Sequence, residues 1–180
     1  MKYCYFLLLF LFLAGCSISN SKNYQVPEYE KMADRITAKT AKKIEKETGL
    51  RLCGTGGGMM NHIRMMAMSF DCSHEIDIEQ ARELVLHCAN EYLNAINSNE
   101  EIRPHLVQYP FMPKNVQIDI FIHPSDQREI PTGSLVVVST SYGMISYMVR
   151  GTGSERLKDV HEETYEEAVK IVEQKSLTTS

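Results

Sequence analysis

Sulfur and imidazole side chains crowd one stretch of this 180-residue sequence: Met59, Met60, Met65, Met66 and Met68 stand close to His62, Cys72 and His74. Thioether and thiolate ligands are soft and select Cu(I), so His62, Met66, Cys72 and His74 form a candidate soft-metal set. On an extended strand Met66 and Met68 share a face with His62 and Cys72, whereas Met65 points the other way. The competing reading is packing, because Met fills irregular cores and this spacing is loose. The same region allows a thiolate nucleophile with an imidazole base, Cys72 with His74, or further on Cys88 beside His87, the makings of a thiol-dependent hydrolase. Adjacency in sequence does not create such a contact, and no third orienting residue accompanies either pair.

Gly54-Thr55-Gly56-Gly57-Gly58-Met59 invites comparison with loops that cradle phosphate on backbone N–H groups. The dinucleotide fingerprint needs Gly at position 59, and the P-loop needs Lys and Ser/Thr after its last Gly; Met59-Met60 satisfies neither. A bulged or closely approached strand is the better reading, with Gly54, Gly56, Gly57 and Gly58 as a flat surface on which a ligand could rest. His161-Glu162-Glu163-Thr164-Tyr165 and His74-Glu75-Ile76-Asp77-Ile78 both lack the second His of a zinc-protease helix. His161, Glu162 and Glu163 therefore read as exposed polar residues ahead of a helix, and Asp119, His123, Ser139 and Ser141 as strand and loop residues. No complete catalytic constellation and no cofactor motif emerges.

The N-terminus is more specific. Lys2 precedes an apolar run from Tyr3 to Leu13, too short for the roughly 20 residues that cross a bilayer and followed at once by a polar stretch, as in a cleaved signal. The boundary Leu13-Ala14-Gly15-Cys16 resembles the lipobox of bacterial lipoproteins. The resemblance covers the targeting segment alone. It implies removal of residues 1–15, a diacylglyceryl thioether on Cys16, and an acyl chain such as palmitate on the freed amine. Ser17 follows the Cys where an Asp would retain the protein at the inner membrane, so the resemblance favours the outer membrane. Residues 16–26 then read as a lipidated Cys and polar tether, spanning at most about 35 Å for ten extended residues.

The rest of the chain suits one domain, residues 27–175, with a tail at 176–180. With 19 basic against 23 acidic residues and a net charge of −4, it lacks the basic footprint of a nucleic-acid binder. Cys53, Cys72 and Cys88 are odd in number; a Cys53–Cys72 bridge and three reduced thiols both remain open.

Apolar spacing of three and four predicts a helix over 27–48, entered at Pro27 and closed at Gly49. Two strands, 50–55 and 59–72, are expected to join near the glycines. Asp77 and Gln80 form a capping box for a second helix, about 78–98. Pro104, Pro110 and Pro113 make 103–114 irregular. A strand at 116–122, a hairpin of 134–141 and 144–150 about Tyr142-Gly143, and a helix capped by Thr164 and Glu167 and running to about Lys175 complete the order. Residues 154–163 fit helix or strand equally. The expected fold is α+β, α-β-β-α-β-β-β-α, an antiparallel sheet of about five strands with helices on one face. The expected function is a lipid-anchored envelope module that binds another protein or a surface ligand through its sheet, its Pro-rich segment or its glycine stretch. Its partners would be the lipid bilayer and another envelope protein.

Overall fold

The structure, a computed structural model, describes residues 25–124, 129–153 and 156–178. The signal segment, Cys16 and most of the tether lie outside the described residues. The elements run α1 (Glu28–Thr48), β1 (Arg51–Gly58), β2 (Met65–Cys72), α2 (Ile78–Ser98), β3 (Val116–Ile122), β4 (Leu135–Ser141), β5 (Met144–Arg150), β6 (Leu157–Thr164) and α3 (Tyr165–Thr178). Two single turns of 3-10 helix, Arg103–His105 and Pro113–Asn115, occupy the proline-rich segment.

The helices begin and end for local reasons. Asp77 accepts from the Gln80 N–H at 2.8 Å while the Gln80 side chain accepts from the Asp77 N–H at 3.0 Å, closing the capping box. Gly49 stops α1 at φ 75°, a left-handed conformation that a side chain would resist. Glu167 accepts from both the N–H and the hydroxyl of Thr164 at 2.8 Å, which starts α3. That helix continues to Thr178, so most of the expected tail is helical.

The six described strands form one sheet in the order β1-β2-β3-β4-β5-β6. The fold is α+β with the helices packed on the sheet, as the pattern predicts. Two details differ. Residues 157–164, within and just past the ambiguous stretch, form a sixth strand paired to β5. The sheet is also mixed: β2 and β3 run parallel because α2 lies between them and carries the chain back to the starting end.

Alternation separates the two faces of the sheet. Met66, Met68, Phe70 and Cys72 of β2, and Ile118, Ile120 and Ile122 of β3, are almost fully buried beneath the helices. α1 packs over β1 and β2, α2 over β3 and β4, and α3 over β5 and β6. Val136 and Val138 are buried and β4 is an interior strand. No described element covers the other face, where Ser69, Asp119, Val137 and Ser139 are half-buried.

The glycines correct one expected boundary. β1 runs straight through Gly54, Gly56, Gly57 and Gly58, and residues 59–64 make the turn into β2. A glycine run costs a strand less at an edge, where few side chains pack upon it, and Gly57 is needed there. A Cβ at that position would stand 2.7 Å from the Met65 carbonyl oxygen and 2.8 Å from Met59 Cε.

Candidate functional site

The proposed soft-metal residues do not meet. Met66 and Cys72 lie six residues apart on β2, about 20 Å at the usual rise per residue. Met66 is fully buried in the core, and His62 is exposed in the β1–β2 turn. Only Cys72 and His74 come together, with Sγ 3.7 Å from His74 Nδ1. Among the described residues no group of three or more His, Cys, Asp or Glu is placed to hold a metal ion. Cys72 is 1 % exposed and its thiol donates to the His74 carbonyl at 3.4 Å, so the accessible nucleophile that a Cys72 hydrolase needs is not presented. Cys88 is fully buried, and burial pushes its thiol up to about 12. The three cysteines among the described residues are free, Cys53 alone being exposed.

The sheet instead brings together two groups of residues that the sequence separates. On the uncovered face, Asp119 at the centre of β3 accepts from Gln117 Nε2 at 2.9 Å, Ser69 Oγ at 3.3 Å and Ser139 Oγ at 2.5 Å. The register extends this into a polar row from Gly54 through Ser69, Asp119, Ser139 and Ser146 to Glu162. Beside it lies an apolar row, Phe121, Val137 and Met148. No described histidine bonds to Ser139 or Asp119, so this arrangement is a hydrogen-bonded surface and not a nucleophile with its base.

The second group is buried under the helices and corrects the expectation that Glu163 is exposed. Glu163, 5 % exposed, accepts at Oε1 from Arg82 Nε at 2.7 Å and from the Tyr147 hydroxyl at 2.5 Å. Its Oε2 has no hydrogen-bond partner among the described residues, and His161 Nε2 is 3.7 Å away. Burial and the adjacent Glu163 hold the Tyr147 phenol well above the ordinary tyrosine range. Burial opposes the Arg82 charge, yet the bond to Glu163 prevails and raises it. This cluster ties β6 to β5 and α2.

The two edges of the sheet differ in chemistry. β6 carries Lys158, Asp159, His161 and Glu162 along its exposed length, and charge on an edge discourages further pairing. β1 has no charged residue from Leu52 to Gly58. Gly54, Gly56 and Gly58 share the uncovered face with Ser69, Ala67 and Met65, while Thr55 and Gly57 pair with the helix-facing Met68 and Met66. Next to this edge, Glu30, Asp34 and Thr37 of α1 join Thr55, Gly56, Gly57, Met59 and Met60 around a cleft of about 610 Å³. No described strand pairs with the outer side of β1.

Asp119 was visible in sequence as the polar half of an alternating strand and Ser139 as a strand or loop residue, but their convergence with Ser69 needed the register. Nothing in the sequence marks Glu163, because its partners are 16 and 81 residues away. No protein-family model matches the chain, and no curated protein or solved structure matches it significantly.

Proposed function

We propose that this chain is a lipid-anchored protein of the bacterial envelope, tethered through Cys16, whose domain is a binding module for an extended segment of another envelope protein. The observation that supports the binding reading is the β1 edge: eight residues of strand, uncharged after Arg51, with no described strand on its outer side. An extended segment adding there gains main-chain hydrogen bonds, while alternate side chains enter flanking pockets and give specificity. On the helix side the flanking pocket is the cleft containing Glu30 and Asp34, which suits a basic side chain. On the other side the segment meets Gly54, Gly56 and Gly58, which leave room for bulk.

The lipobox supports the anchor. No helix among the described residues is long and apolar enough to cross a membrane. Growth with an alkyne fatty acid is expected to label the full chain, and Cys16→Ser is expected to abolish both the label and membrane fractionation. For the binding reading, a photo-crosslinking residue at Thr55 should trap a discrete adduct in intact cells, and one at Val160 on β6 should not. Equal adducts from both edges, or none from Thr55, would reject β1 as the interface.

A further inference from the structure

We infer that the end of the domain from which the tether leaves is itself a membrane-contact surface, so that the domain sits on the bilayer end-on instead of swinging free above it. This inference rests on the lipid anchor at Cys16 proposed above. Eleven large hydrophobic residues are exposed among those described, and seven belong to this one end. They come from four segments: Val26 at the foot of the tether, Met60 in the β1–β2 turn, Val107, Tyr109 and Met112 before β3, and Tyr142 with Met144 at the β4–β5 turn. Met60 and Tyr142 are 81 % and 80 % exposed.

These segments are joined to one another. Tyr29, in the first turn of α1, donates to the Met59 carbonyl at 2.8 Å and stacks on His105 with ring centres 5.4 Å apart. Ile63 donates to the His105 carbonyl and accepts from Val107. Asn115 Nδ2 donates to the Arg64 carbonyl at 3.0 Å, and Lys114 packs by Gly143. Tyr142, at φ 51° in the hairpin turn, is held outward beyond Gly58, Arg64, Met65, Lys114 and Asn115, which surround a cleft of about 500 Å³ with it.

The composition fits the interfacial zone of a bilayer, where tyrosines sit at headgroup depth and apolar tips enter the acyl boundary. Arg64 and Lys114 are exposed with no ion pair among the described residues, placed to meet anionic headgroups. Of the acids at the same end, Glu28 is engaged by Lys31 and Arg35 and Glu100 by Arg103, while Glu101 is exposed and leaves one negative charge against the two cations. The occupant is a bilayer because of the tether: the nine positions between Cys16 and Val26 reach at most about 35 Å and start from this end. Separate protruding tips also match a soft, deformable surface better than a rigid protein partner.

The chain contains no Trp, so single substitutions provide unique probes. The full lipidated protein would be placed in phosphatidylethanolamine–phosphatidylglycerol vesicles whose acyl chains carry bromine. Met60→Trp and Tyr142→Trp are expected to emit blue-shifted, quenched fluorescence. Leu177→Trp, in the last turn of α3 about 20 Å from that end, is expected to be unquenched. Combining Arg64→Glu and Lys114→Glu should lower the docked-to-undocked ratio about fivefold per charge; no change would overturn the headgroup contact. Vesicle-bound protein with no quenching at either tip overturns the docking and leaves the anchor standing. Concentration-dependent blue shift without quenching assigns the end to a second copy, and also overturns it. A chain that takes no fatty-acid label at Cys16 overturns the anchor and this inference together.

Discussion

The two edge strands of the sheet are alike in length and unlike in what holds and guards them. β6 is charged along its outer length and pinned at its end by Glu163, which reaches under α2 to Arg82 and across to Tyr147. β1 has no fully buried residue, carries four glycines, and depends on its ladder with β2 and on slight packing against α1. A protein that needed both edges only for architecture would be expected to protect both. The difference is what favours β1 over β6 as the edge proposed for pairing.

The comparison predicts effects of very different size. Glu163→Gln leaves the Arg82 guanidinium buried without its carboxylate, which costs about 3–5 kcal/mol. Urea unfolding would measure it, and a loss below about 1 kcal/mol would mean that β6 is not anchored by this pair. Alkaline pH should weaken the core beneath the helices, on both sides of α2. Burial raises the thiol of Cys88 and the phenol of Tyr165 to about 12, and raises Tyr92 and Tyr147 further still. In each case the fold favours the protonated form. Stability is therefore intact below the unfolded-state values, about 8.5 for Cys and 10 for Tyr. It then falls as pH rises toward the folded values, by about 1.4 kcal/mol per pH unit for each ionising group. Unfolding midpoints measured from neutral pH upward should decline from about pH 9.

On β1 the expected effects are smaller and separate neighbouring glycines. Gly57→Ala drives a Cβ into the Met65 carbonyl and should cost about 1–3 kcal/mol. At Gly58 a Cβ meets nothing within 4 Å, so Gly58→Ala should be neutral or stabilise by up to about 1 kcal/mol. Thermal melts of the two variants would show whether the glycine run is uniform or, as the geometry requires, demanding at one position only. Thiol labelling gives a finer reading. Cys53 on β1 should react in the native protein, slowed because partial burial and Asp71 raise its pKa. Cys72 and Cys88 should react only as the core opens, and equal rates for all three would contradict the assigned faces.

Much of this architecture was legible in the chain because its signals are local. Asp77 with Gln80, Gly49, Thr164 with Glu167, and the alternation from Val116 to Ile122 each act within a few residues and mark their elements closely. The β1–β2 turn was placed too early because glycine usually ends a strand, and only the close approach of Met65 explains why Gly57 continues one. The parallel β2–β3 pair follows from the α2 crossover, which local patterning does not report. For the candidate site the sequence offered sulfur and imidazole, and burial removed most of it: Met66 and Cys72 alternate correctly but point into the core. The polar row about Asp119 and the Arg82–Glu163–Tyr147 cluster depend on register and on contacts across the fold, which no spacing rule conveys.

The assignment of β1 as the binding edge is tested most directly by guarding it as β6 is guarded. Gly56→Lys combined with Gly58→Lys places two charges where a Cβ meets ordinary contact or open space, so thermal stability should stay within about 0.5 kcal/mol of the parent. In cells carrying the photo-crosslinking residue at Thr55, the account predicts that this double variant remains folded and membrane-bound while the adduct disappears. An adduct of undiminished yield from the charged edge would contradict it.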